Sequence, residues 1–309
     1  MKVINTITNY AELKNCALTI GTFDGVHIGH QQIIKRLVKQ AKKKNLLSVV
    51  LTFFPHPRMI LQKESDIRLI DTLNEKQKLL EDLGIDLLVV HPFSKIFSRQ
   101  LADEFIRNIL VNTFHIAHLI IGYDHRFGRN REATIDDLIN AGETYGFSVE
   151  KIEAQEIASV NVSSTKIRLA IEAGDIQKAN NYLNRPFKIT GKIIKGAEIG
   201  RTIGFPTANL HITEEYKLLP ADGVYFVRAK HKGKTIFGMM NIGFRPTVNG
   251  KKRSYEVHFF NFNENLYKQF ISVELLDQIR QEKAFLTLDE LKQQLTLDKA
   301  HCQRLIPRK

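Results

Sequence analysis

The sequence predicts two domains: an α/β domain whose parallel sheet carries helices on both faces, then a small antiparallel β-barrel with a C-terminal helix. Three observations carry this. Short apolar runs alternate with amphipathic stretches through the first half, the periodicity changes to β-rich runs between turn residues after Phe187, and 309 residues exceed one ordinary core.

In the first half Cys16 to Ile20, Ser48 to Phe53, Ile85 to Val90 and Leu119 to Gly122 read as buried strands, being unbroken apolar runs of strand length. Between them Ile33, Ile34, Leu37, Val38 and Ala41 recur at helical spacing, and similar patterns run through Glu75 to Leu83 and Leu101 to Val111. Strand and helix in alternation imply a parallel sheet. Two more helices follow, Thr134 to Tyr145 and Ser164 to Ala173, the second stopped by Gly174 at a C′ position. The later runs, Lys188 to Ile194, Gly223 to Ala229, Thr235 to Asn241, Tyr255 to Phe262 and Phe270 to Leu276, suit a small barrel. Thr287-Leu-Asp-Glu290 reads as a capping box opening a helix whose Leu288, Leu291, Leu295, Cys302 and Leu305 share one apolar face. The boundary falls near Asn184-Arg185-Pro186, giving domains 1–184 and 185–309.

Composition narrows the class. Cys16 and Cys302 stand far apart, which argues against a disulfide framework or a cysteine-ligated zinc and for a cytoplasmic setting. The N-terminus shows no basic region followed by an apolar one, and no run is long enough to span a bilayer. A formal charge of +12 attracts polyanions, nucleic acid and nucleotide phosphates alike. Lys42, Lys43 and Lys44 close a helix, where cations complement its dipole.

The first candidate site is Gly21-Thr22-Phe23-Asp24-Gly25-Val-His27-Ile-Gly-His30, between the first strand and first helix, where open α/β sheets place ligands. A helix N-terminus offers unpaired N–H groups to phosphate oxygens, and the glycines permit close backbone approach. His27 and His30, three apart, project toward one ligand and can donate to an α-phosphate as charge builds there. The alternative is that one histidine caps the helix and the other fills a polar gap. The run contains no Walker or dinucleotide pattern.

The second is Gly200-Arg-Thr-Ile-Gly204-Phe-Pro206-Thr207-Ala-Asn209. Period two points Thr207 and Asn209 to one side of an extended chain, where two neutral oxygens could ligate Mg²⁺ while ATP phosphates complete the shell. On the strand Ser254 to Phe262, Glu256 shares a face with His258, Phe260 and Phe262, so this carboxylate needs a partner, such as Arg245, or a function.

These motifs carry a resemblance. GTFDGVHIGH resembles the HxGH signature of the nucleotidylyl transferase superfamily. With Thr52 to Pro57, Gly122 to Arg129 and Ser163-Ser164-Thr165-Lys-Ile-Arg168, it is similar to the FMN adenylyltransferase module of bacterial bifunctional riboflavin kinase/FAD synthetases. GRTIGFPTAN, Gly223-Val-Tyr225, Asn241 to Thr247 and Glu256-Val-His258 resemble the riboflavin kinase module in order and spacing. The resemblance implies an α/β nucleotidyltransferase domain before a six-stranded kinase barrel, with riboflavin phosphorylated to FMN and FMN adenylylated to FAD at the expense of ATP. It implies ATP contacts at Gly21, Thr22, Phe23, Asp24, Gly25, Ser164, Thr165, Arg168, Gly204, Thr207 and Asn209, and Mg²⁺ at Thr207 and Asn209. Flavin contacts fall at Phe54, Asp124 and Arg280, and Glu256 is the kinase base. The implied partners are riboflavin, FMN and ATP, with no nucleic acid and no membrane. Ala133, Asn261 and Lys268 depart from the family pattern, the last where a glycine is usual. A class I tRNA synthetase would share HIGH but should carry a KMSKS-like loop, and a nucleic-acid-binding barrel should expose aromatics among its basic residues.

Overall fold

The computed structural model describes residues 1–62, 66–123, 126–153, 162–196, 199–247 and 250–307. They form two compact units, Met1–Ser164 and Thr165–Lys309.

The first unit holds six parallel strands: β1 (Lys2–Ile4), β2 (Cys16–Ile20), β3 (Leu47–Phe53), β4 (Leu87–His91), β5 (Ile116–Gly122) and β6 (Ser148–Ile152). Their order is β1-β4-β3-β2-β5-β6, with β2 at the centre. Side chains alternate between two helical layers, as a pleat with period two requires. Leu18, Val49, Leu51, Leu87, Val89, Leu119 and Ile121 pack on one face with Phe105, Ile106, Ile109, Leu110, Ile135 and Leu138. Ala17, Val50, Leu88, Val90 and Ile120 pack on the other with Ile33, Ile34, Leu37, Ala41 and Leu80. Helices therefore cover both faces, as predicted: Ile28–Lys43 and Leu73–Asp82 on one side, the stretch beginning at Ala102 and Ile135–Tyr145 on the other.

The two edge strands escaped sequence analysis. β1 has three residues, and β6 reads Ser-Val-Glu-Lys-Ile, a charged strand of the kind that blunts a sheet edge. The stretch expected as an α-helix over Leu101 to Val111 is α-helical only at Ala102–Glu104 and π-helical from Phe105 to Val111. The wider winding keeps Phe105, Ile106, Ile109 and Leu110 all on the buried face.

The second unit is a closed barrel of β7 (Phe187–Ile194), β8 (Ala208–His211), β9 (Gly223–His231), β10 (Lys234–Thr247), β11 (Gly250–Phe259) and β12 (Phe270–Gln281), all antiparallel, in the order β10-β11-β8-β7-β12-β9. β8 reads Ala-Asn-Leu-His and is not among the predicted strands, although the stretch into Asn209 reads as extended; pairing with β7 and β11 makes it a strand. Two helices precede the barrel strands and pack in this unit, Ser164–Glu172 and Ile176–Leu183. Asn180 holds the second of them: its amide donates to the Leu275 carbonyl at 2.9 Å and accepts from the Phe187 N–H at 2.6 Å.

The C-terminal helix Leu288–Arg304 differs in detail from its prediction. The Thr287 hydroxyl caps it, accepting from the Glu290 N–H at 3.2 Å, but the Glu290 carboxylate reaches the Leu286 N–H rather than closing a capping box. Cys302 is buried and Leu295 packs beside it, whereas Leu288 and Leu305 are exposed, because the helix touches the barrel over only part of its length. Lys268 adopts φ 66, so the turn keeps the left-handed conformation despite the absence of glycine.

Candidate active sites

The loop Gly21–Gly25 leaves the carboxyl end of the central strand β2 and is tied down at four points. The Gly21 N–H donates to the Leu51 carbonyl at 3.0 Å. The Thr22 carbonyl accepts from the Lys76 ammonium at 2.7 Å and the Thr52 hydroxyl at 3.3 Å. Buried Asp24 accepts from the Ile70 N–H at 3.0 Å, and its carbonyl accepts from the Ser164 hydroxyl at 2.9 Å.

His27 is the N-cap of the helix Ile28–Lys43, its Nδ1 accepting from the His30 N–H at 3.4 Å. The two rings stack, with centroids 3.6 Å apart and 18° between planes. The capping alternative thus holds for His27, and the His30 ring stacks on it. Burial pushes His27 down to about 4 and His30 well below the ordinary histidine range, the latter helped by the charges of His27 and Lys76. Both rings are neutral near pH 7. Since Nδ1 of His27 is an acceptor, its proton sits on Nε2, a neutral donor. The Nδ1 of His30 is shut off from solvent without a partner among the described residues.

Ser164 opens the helix on which Thr165 is exposed and Arg168 half-buried. Phe54 follows β3, half-buried, its N–H bonded to the His91 carbonyl at 3.1 Å. Asp124 lies outside the described residues. A cavity of about 500 Å³ is lined by Leu61, Lys95, Ser98, Arg99, Arg129 and Asn130, from segments that follow β3, β4 and β5 at their carboxyl ends.

In the barrel unit, β8 and β11 bring the second set together. Asn209 is the register partner of Glu256, and the Thr207 hydroxyl donates to Glu256 Oε2 at 3.2 Å. The Ser254 hydroxyl donates to Oε1 at 3.3 Å. Gly204 turns with φ +86, and a Cβ on Gly196 would collide with the Asn209 amide. The register sets Arg245 opposite Lys252, four positions along β10 from Asn241, the residue opposite Glu256. His258, two residues on, is buried; its Nδ1–H donates to the Pro206 carbonyl at 2.8 Å. Burial lowers its pKa, and its Nε2 has no partner among the described residues.

Arg280 stands apart from this set. Its guanidinium grips Asp298 of the C-terminal helix at 2.9 to 3.1 Å, and Gln294 donates to the same carboxylate at 2.8 Å. Among the described residues no group of three histidine, cysteine, aspartate or glutamate side chains could hold a metal.

Lys76, Gly196 and Ser254 are not among the predicted site residues, although Ser254 shares a strand face with Glu256. Lys76 also left a signal, a cation in the first turn of a helix, where the dipole disfavours it.

A family model described as FAD synthetase matches residues 9–166, and one described as riboflavin kinase matches residues 183–306. The chain is 41% identical over 288 residues to a bifunctional riboflavin kinase/FMN adenylyltransferase of Haemophilus influenzae, covering 93% of this chain and 92% of that one. It is 37% identical over 301 residues to its Escherichia coli K12 counterpart, covering 96% of each. A crystal structure described as a macrolide-efflux protein from Streptococcus pneumoniae shares the fold with a TM-score of 0.88 and 30% identity, over 97% of this chain and 98% of that one. Among the described residues of this chain no helix is long and apolar enough to cross a membrane. The chain belongs to the bifunctional riboflavin kinase/FMN adenylyltransferases, which phosphorylate riboflavin to FMN and adenylylate FMN to FAD with ATP.

Proposed function

We propose that the two reactions run at the two constellations described above, riboflavin phosphorylation at Thr207, Asn209 and Glu256 and FMN adenylylation at His27 and His30. What supports this most is that residues 49 apart in sequence, Thr207 and Glu256, meet through a hydrogen bond in the barrel, while the histidine pair forms in the other unit.

In adenylylation the FMN phosphate attacks the α-phosphorus of ATP and pyrophosphate leaves. The nucleophile is already anionic, so no base is required; positioning and donors aimed at the growing charge carry the step. His27 through Nε2–H, His30, and the backbone of Gly21 to Gly25 supply them. Ser164, Thr165 and Arg168 at the start of their helix take the departing pyrophosphate. Phe54 and Asp124 meet the flavin, and the cations Lys95, Arg99 and Arg129 around the 500 Å³ cavity suit an anionic substrate such as FMN.

In phosphorylation Glu256 takes the proton of the riboflavin ribityl hydroxyl as it attacks the γ-phosphorus. Mg²⁺ fits the residues present. The Thr207 hydroxyl donates a hydrogen bond to Glu256 and keeps its lone pairs, Asn209 brings a neutral oxygen, and Gly196 leaves room for the Asn209 amide. When bound with ATP, the ion neutralises phosphate charge. Arg280 as a flavin contact would keep its hold on Asp298 and use its remaining donors.

The catalytic division lies at 184/185 in this reading, and the helices from Ser164 to Leu183 serve the barrel unit's fold. Partners are the small molecules riboflavin, FMN and ATP, with no part for nucleic acid or membrane. A cytoplasmic setting accords with two buried, unbridged cysteines. The test is incubation with riboflavin, ATP and Mg²⁺ followed by chromatography of the flavins. FMN and then FAD are expected. Accumulation of neither refutes the reading, and FAD formation that survives loss of both His27 and His30 removes them from it.

A further inference from the structure

We propose that Lys76 is a positioning residue for adenylylation: its ammonium anchors the Thr22 carbonyl and thereby turns the Phe23 N–H toward the phosphates of ATP. This rests on the assignment of Gly21 to Gly25 as the ATP loop.

Lys76 is 3% exposed and lies in the first turn of the helix Leu73–Asp82, after the capping box of Thr72 and Glu75. Both its burial and the helix dipole oppose a cation there. Burial pulls its pKa down, while Asp24 and Asp71, both buried, hold it up. Replacing a whole buried charged set by apolar groups is often neutral or stabilising, whereas removing Lys76 alone would strand buried carboxylates. Fold stability alone therefore does not require the charged set, and the hydrogen bond of the ammonium gives it a use.

That bond, 2.7 Å from Nζ to the Thr22 carbonyl, is joined by one from the Thr52 hydroxyl to the same oxygen. A trans peptide is planar, so its carbonyl and the following N–H point in opposite directions. Drawing the Thr22 oxygen to one side sets the Phe23 N–H on the opposite side of that peptide, in a loop where Gly21 and Thr22 are half-exposed and the Phe23 side chain is buried. The Phe23 N–H has no partner among the described residues. Phe23 has φ 45 and Val26 φ 36, conformations costly for a bulky and a β-branched residue and kept only where the surroundings over-determine them. The two bonds on Thr22 are such a restraint. A charge-assisted bond to the carbonyl also polarises the peptide and strengthens its N–H as a donor.

The experiment compares Lys76→Met, the charge-balanced double variant Asp71→Asn with Lys76→Met, and Thr52→Val in the full chain. FAD formation is measured as a function of ATP at saturating FMN, together with the melting temperature. Lys76→Met should raise KM for ATP about 10- to 100-fold, the loss of a hydrogen bond to a charged group, with KM for FMN unchanged. The double variant should recover stability yet keep the raised KM, and Thr52→Val should raise it about 3- to 10-fold, the loss of a neutral bond. A double variant with parental KM for ATP overturns the proposal. If neither lysine variant folds, Thr52→Val decides: a raised KM for ATP supports the anchor and a parental one overturns it. Absence of FAD formation by the parent chain would instead refute the underlying site assignment.

Discussion

In the α/β unit the proposed site centres on uncharged side chains, two stacked imidazoles held neutral by burial beside the Gly21–Gly25 loop. In the barrel unit a carboxylate sits at the centre, its two oxygens each accepting a hydroxyl, with an amide across the strand pair. The difference follows the chemistry. An anionic FMN phosphate needs donors for the charge it creates, and a carboxylate beside it would repel it. A ribityl hydroxyl must lose a proton, and neutral donors could not take it. On the proposed assignment the same cosubstrate is handled by opposite materials according to the nucleophile.

The largest expected effect breaks the comparison at the level of the units themselves. A fragment beginning at Thr165 should fold and make FMN alone. One beginning at Arg185 should not fold stably, because it lacks the buried Ile167, Ile171, Ile176, Ala179 and Leu183 and both Asn180 bonds. Circular dichroism melting of the two fragments separates them; a shorter fragment as stable as the longer would show that these helices add nothing to the barrel.

Next comes the carboxylate. Glu256→Gln keeps the shape and removes proton acceptance, so FMN formation should fall roughly 10²–10⁴-fold, the span for a general base. Conversion of supplied FMN to FAD should be unchanged. Riboflavin phosphorylation at near the parental rate would remove Glu256 from the mechanism.

Replacing either His27 or His30 by alanine should lower FAD formation by roughly 10²–10³-fold, as loss of one preorganised donor does, and spare FMN formation. The His27 variant should also lose helix stability, since that ring is the cap. Equal loss of both activities would point to folding alone.

The smallest effect is on acid stability. Burial lowers the folded pKa of His27, His30, His91 and His118 in the first unit and of His258 in the second. A depressed histidine pKa means that the unfolded chain takes the proton first. Stability is thus full above the unfolded value near 6.5 and is lost as pH falls toward the folded one. For His27, folded at about 4, the loss amounts to about 3 kcal/mol by pH 4. Unit-resolved hydrogen exchange from pH 7 to 5 should show the α/β unit weakening first. Protection lost first in the barrel would contradict the neutral-imidazole account.

The central strands were legible because both of their faces are apolar, and the helices between them because one stripe is. Strand β8 was not, since nothing in Ala-Asn-Leu-His asks for a sheet until β7 and β11 flank it. The histidine pair and the Thr207 and Asn209 pair could be read from local spacing alone. Glu256 could be suspected from its face of the strand, and Ser254 two residues away shares that face, but the Thr207 hydroxyl that donates to it comes from 49 residues earlier in the chain.

By itself the sequence determined the two cores, their order and the short motifs, because periodicity and turn chemistry act between near neighbours. Tertiary structure alone decided that the imidazoles are neutral, that Arg280 is held by Asp298 and that Lys76 lies buried against the Gly21–Gly25 loop. Protonation and pairing depend on what is brought close and on how much water is excluded. Those quantities exist only once distant segments have packed.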